Sequence, residues 1–163
     1  MHIKLINKKL LFNEHKVKCA IGKKGVSKFK REGDGCTPKG IFSFKNLFYR
    51  KDRIKAVKTK LKKIVIKKNM GWCDDTNSKY YNTLIRFPFS GSAEKLYITN
   101  NSYDIILVIN YNLKKIKKNK GSAIFLHIAK KNYKSTEGCI AVSKGDCKLL
   151  LQHIKKNTKI LIF

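Results

Sequence analysis

Along most of this chain the apolar residues fall in short runs, without helical spacing. Ile, Val, Leu and Phe concentrate in residues 3–6, 10–12, 17–21 and 40–44, then in 64–66, 84–87, 104–110 and 123–129. Gly and Asn clusters separate these runs, and Pro38 and Pro88 are the only prolines. β-Branched and aromatic residues bounded by turn formers predict strands. Near the C-terminus the period changes. Ser143 suits an N-cap, Asp146 falls in the first turn, and Leu149, Leu150 and Ile154 share one side of a helix. Asn157 and Thr158 are expected to stop it, and residues 159–163 read as a final strand. Residues 51–63 fit either a second helix or a basic loop. The expected fold class is mainly β: a sandwich or irregular barrel with one packed helix, in a single domain over residues 1–163.

Composition adds limits. A chain of 163 residues with 42% apolar content builds a core without disulfides. Its longest apolar run, residues 105–109, is far short of the ~20 residues that span a bilayer, so no membrane span is expected. The basic start is not followed by the apolar stretch of a secretory signal. A net charge of +28 attracts nucleic acid, anionic lipid or an acidic polymer. Yet the cations are 34 Lys and 4 Arg, spread among Asn and Ile. Nucleic-acid readers lean on Arg, and single-strand binders interleave aromatics, which these Lys-rich stretches lack. No specific nucleic-acid partner is expected. None of the five cysteines forms a C-x-x-C, so zinc-finger and thioredoxin spacings are absent.

The chemistry concentrates late in the chain. Residues 121–129 form an apolar run with His127 near its end, and Thr136-Glu137-Gly138-Cys139 follows, leading into the helix. Gly138 permits a tight turn and close approach of a substrate. The Gly138 and Cys139 N–H groups then suit an oxyanion hole. A free thiol ionises near pH ~8.5, so an adjacent imidazole must take its proton or hold the thiolate as an ion pair. Each residue also has a plain structural reading, as a core Cys and a strand His.

Thr136-x-Gly138-Cys139-x-x-x-Ser143 after a strand ending in His127 resembles the catalytic signature of the L,D-transpeptidase (YkuD-type) family. Gly35-Cys36-Thr37-Pro38-Lys39-Gly40-Ile41-Phe42 is similar to that family's Thr-Pro-x-Gly-x-Phe segment. A third block, Gly71-Trp72-Cys73-Asp74-Asp75 with Tyr81-Asn82, looks like a compact, divergent branch. The resemblance covers about residue 30 to the C-terminus. It implies a YkuD-like β fold, Cys139 as nucleophile, His127 as base, and no metal or cofactor. It implies peptidoglycan stem peptides as partners, acylation by carbapenems, a monomer, and a periplasmic or cell-wall location although no export signal is visible. Ile128, Glu137 and Ala141 depart from the usual Gly, His and Arg. Arg86 and Arg31 are therefore candidates to grip substrate carboxylates. Trp72, Asp74, Asp75, Tyr81, Thr136 and Glu137 complete the candidate substrate residues. Asp74 and Asp75 read either as turn caps or as acids that bind the amino group of an acceptor peptide. Two other readings stay open: an L,D-carboxypeptidase or endopeptidase on the same scaffold, and a basic, non-catalytic module binding nucleic acid or anionic glycan.

Overall fold

A computed structural model describes residues 1–163. Its elements, in chain order, are β1 (His2–Ile6), β2 (Lys9–Phe12), β3 (His15–Ala20), β4 (Val26–Ser27), β5 (Thr37–Pro38), β6 (Gly40–Tyr49), β7 (Lys62–Val65), β8 (Met70–Cys73), β9 (Leu84–Arg86), β10 (Ala93–Lys95), β11 (Ile105–Ile109), β12 (Phe125–Ile128), β13 (Ile140–Val142), α1 (Lys144–His153) and β14 (Lys159–Ile162). The large sheet runs β11-β12-β13-β3-β2-β1-β14-β6-β7, and β6 also pairs with β11. That second pairing closes the sheet on itself, so the mainly β expectation resolves to a barrel. Closure leaves β7 as the only strand of this sheet with an unpaired edge, the kind of edge that templates pairing with another chain.

Two cores flank the barrel wall. Ile105, Leu107 and Ile109 of β11 and Leu126 and Ile128 of β12 face the interior, where Leu150, Leu151 and Ile154 also pack. Ile106, Val108 and Phe125 face outward, against Trp72, Met70 and Leu96. This outer core lies beneath a second sheet, ordered β10-β8-β9. The unbroken apolar run of β11 follows from burial on both faces. His127 belongs to the outer face by alternation with Leu126 and Ile128.

The predicted helix forms with Ser143 as its cap. The Ser143 Oγ accepts from the Asp146 N–H at 3.1 Å and donates to the Asp146 carboxylate at 2.6 Å. It ends at His153, earlier than Asn157, because Ile154 turns to extended backbone while staying buried in the core. Residues 51–63 contain no helix. Ile54 and Leu61 sink into the barrel core, and Arg53 pairs with Asp104 at 3.0 Å, so the segment is a pinned basic loop.

Candidate active site

The connection from β12 to β13 carries the chemistry. These neighbours are parallel, with Leu126 opposite Ile140 and His127 opposite Ala141. Parallel pairing with two-residue alternation places His127, Ala141 and Cys139 on the same, outer face. Ala141 is the small residue beside His127, and Cys139 lies one side-chain repeat further along. Cys139 and His127 both open into one cleft of about 650 Å³ between the barrel wall and the small sheet.

The turn before Cys139 is held at both ends of one glycine. Thr136 Oγ1 accepts the Gly138 N–H at 3.1 Å and donates to the Cys139 carbonyl at 2.6 Å. Fully buried Thr37 receives the Gly22 N–H and donates to the Gly138 carbonyl, each at 2.9 Å. A threonine hydroxyl can donate and accept at once, and both do so here. The Thr37-Pro38 segment thus touches the catalytic turn directly, 101 residues away in sequence. A trans peptide points its N–H opposite its carbonyl. Fixing the Gly138 carbonyl on Thr37 therefore aims the Cys139 N–H away from that buried contact, and no protein acceptor takes it. The Gly138 N–H, expected to serve an oxyanion as well, is instead engaged by Thr136.

The thiol rests in a neutral network. Cys139 Sγ donates to the Ala123 carbonyl at 3.2 Å and accepts the Phe125 N–H at 3.4 Å. No hydrogen bond joins it to the imidazole. His127 Nδ1 pairs with the Ile128 carbonyl at 2.9 Å, and its ring meets Tyr103 edge-on at 5.2 Å. Burial pushes the Cys139 thiol up to about 12, and the nearby Glu94 carboxylate adds to this. The adjacent Glu94 acts on the thiol more strongly than the distant basic surface. Burial likewise lowers His127 to about 4. Of the two forms open from sequence, the resting pair is thus thiol and neutral imidazole.

Two expectations follow. Alkylation of Cys139 by iodoacetamide, read by peptide mass, should rise about tenfold per pH unit from pH 7 to 10, without a plateau near neutrality. His127 governs acid stability. An unfolded imidazole takes a proton near ~6.5, whereas the folded one resists until about 4. Nothing is lost above pH 6.5. Between pH 6.5 and 4 the unfolded state gains the proton first, and folding loses about 3 kcal/mol. Urea unfolding of His127→Gln at pH 7 and pH 4 should show a correspondingly smaller loss.

The remaining candidates divide. Thr136, Glu137 and Asp74 line the cleft with Gly138. Trp72 does not. It is a core residue whose Nε1–H donates to Asn82 Oδ1 at 2.9 Å. Tyr81 is buried beside the cleft, donating to Glu32 at 2.5 Å and accepting the Gly121 N–H. Asp75 Oδ1 caps its own turn by accepting the Asn77 N–H. Arg31 and Arg86 are exposed and lie outside the cleft, whose cations are all lysines: Lys30, Lys95, Lys130 and Lys134. Sequence reading missed Tyr103, Glu94 and Ser122, which line it too. No local motif marks them, because they arrive from three separate elements.

The L,D-transpeptidase catalytic domain family (YkuD) matches residues 5–162. The chain belongs to this family. The match extends well before residue 30, where the recognisable motifs begin, because β1 to β3 complete the barrel. No curated protein matches the sequence. The family is enzymatic and acts on peptidoglycan. No helix is long and apolar enough to cross a membrane.

Proposed function

We propose that the protein is a peptidoglycan L,D-transpeptidase working through a thioester on Cys139. The observation that carries this reading is the clamped Gly138 peptide. It leaves an unpaired Cys139 N–H beside the thiol, in a cleft that also holds His127. The thiol attacks the amide carbonyl after the third residue, a diamino acid, of a donor stem tetrapeptide. Because thiol and imidazole rest neutral, the proton moves to His127 only as the carbon–sulfur bond forms. The developing oxyanion takes the Cys139 N–H. His127 then protonates the departing D-Ala amine. An amine of a second stem resolves the thioester and regenerates the thiol.

Lys130 and Lys134, rather than Arg31 or Arg86, meet the substrate carboxylates at the rim, as point charges without bidentate geometry. A periplasmic or cell-wall location accords with such a substrate. Incubation with tetrapeptide muropeptides tests the reading. Cross-linked dimers in the product masses support it. Tripeptides alone identify a hydrolase on the same scaffold, and untouched substrate contradicts both.

A further inference from the structure

One corner of the cleft is acidic in a chain of net charge +28. Glu32, Asp74 and Glu94 line it. None of them forms an ion pair, although 34 lysines are present; the five pairs in the molecule lie elsewhere. Of the lysines that line the cleft, Lys30 is committed to Asp34 at 2.5 Å and to the Arg31 carbonyl at 2.7 Å, and Lys95, Lys130 and Lys134 form no ion pair with these acids. Two polar atoms here also lack partners. Ser122 is 7% exposed and its Oγ is unbonded, and the buried Asp74 Oδ1 is unbonded. Unsatisfied buried acceptors are costly and call for a donor. The Tyr103 hydroxyl donates to Glu94 and fixes it.

We propose that Glu94, Asp74 and Ser122 form the subsite for the primary ammonium of the acceptor, a deepening that rests on the transpeptidase reading. An ammonium has three N–H donors and no acceptor. Three acceptors match it in number, and the two carboxylates, neither in an ion pair, match its charge in sign. Glu94 and Cys139 line the same cleft, close enough that the carboxylate charge opposes ionisation of the thiol, which puts the bound nitrogen within reach of the thioester. Burial and the neighbouring Asp74 and Glu32 charges shift Glu94 upward, towards a better proton acceptor. The second half-reaction then balances. The ammonium gives one proton to Glu94, and its nitrogen attacks the thioester carbonyl. The carbon–nitrogen bond forms and the carbon–sulfur bond breaks. The nitrogen's second proton passes through His127 to the Cys139 sulfur.

The test separates the two half-reactions. Donor is a stem tetrapeptide, and acceptor is a stem tripeptide with a free side-chain amine. D-Ala release reads acylation and dimer mass reads transfer. Glu94→Gln and, independently, Asp74→Asn are expected to raise the acceptor KM tenfold or more without slowing acylation. The N-acetylated tripeptide is expected to be inert with all three proteins. Unchanged acceptor KM in both variants overturns the subsite, as does an equal fall in both half-reactions. Wild type that acylates but yields only tripeptide overturns it while sparing the thioester mechanism. Wild type that never acylates overturns the transpeptidase reading, and the subsite falls with it.

Discussion

Cys139→Ala is expected to lower turnover of stem peptides by on the order of 10⁴-fold or more, with the fold intact. The sulfur is the only atom placed to accept an acyl group beside the free Cys139 N–H. Its removal leaves binding and the oxyanion donor without a nucleophile. The structural cost is small. Cys139 is half-buried at the margin of the outer core, and its two hydrogen bonds, to the Ala123 carbonyl and from the Phe125 N–H, are weak sulfur contacts. The thermal midpoint should therefore stay close to wild type while product formation disappears. Substantial activity in this variant would move the chemistry elsewhere. Cys73 offers no alternative, since it is buried in β8 and absent from the cleft.

Gly138→Ala is expected to damage both fold and function. Gly138 has φ +147°, a region that side chains rarely adopt. An added Cβ would lie 2.7 Å from the Cys36 carbonyl oxygen, which is backbone and cannot swing aside. Strain of this kind costs about 1–3 kcal/mol before the clash is relieved. Relief requires moving either the Thr37 segment or the catalytic turn. Either movement tilts the peptide whose carbonyl Thr37 holds, and with it the Cys139 N–H. Denaturant unfolding should show a loss of about 2 kcal/mol or more. The acylation rate should fall well beyond what the unfolded fraction explains. Wild-type stability and acylation in Gly138→Ala would mean that the clamp does not set the geometry.

Local pattern carried several strands of the barrel wall. Residues 3–6, 10–12, 104–110 and 159–163 all announce themselves by apolar runs, and β1, β2, β11 and β14 lie within a residue or two of them. The helix was legible because Ser143 and Asp146 form a cap with a local signature. β8 was not, because Met70-Gly71-Trp72-Cys73 owes its strand to pairing with β9 and β10 and not to intrinsic preference. β13 was absorbed into the catalytic turn, since three residues are too few to show a period.

In the site, His127 and Cys139 were legible as a pair, and Thr37-Pro38 as a motif without a role. The role, a hydroxyl bridging Gly22 and Gly138, exists only in three dimensions. Arg31 and Arg86 suited carboxylates by their guanidinium chemistry, but both are exposed and outside the cleft lining, Arg31 although its neighbours Lys30 and Glu32 line it. The acidic corner was half-seen through Asp74. Glu94 and Ser122 come from distant strands and loops that share no sequence signature.

The most direct measurement is the intact mass of the protein during turnover with a stem tetrapeptide. The expected result is an adduct equal to the tetrapeptide lacking D-Ala, mapped by peptide fragmentation to Cys139 and absent from Cys139→Ala. Turnover with the adduct on another residue, or the same adduct on Cys139→Ala, would contradict it.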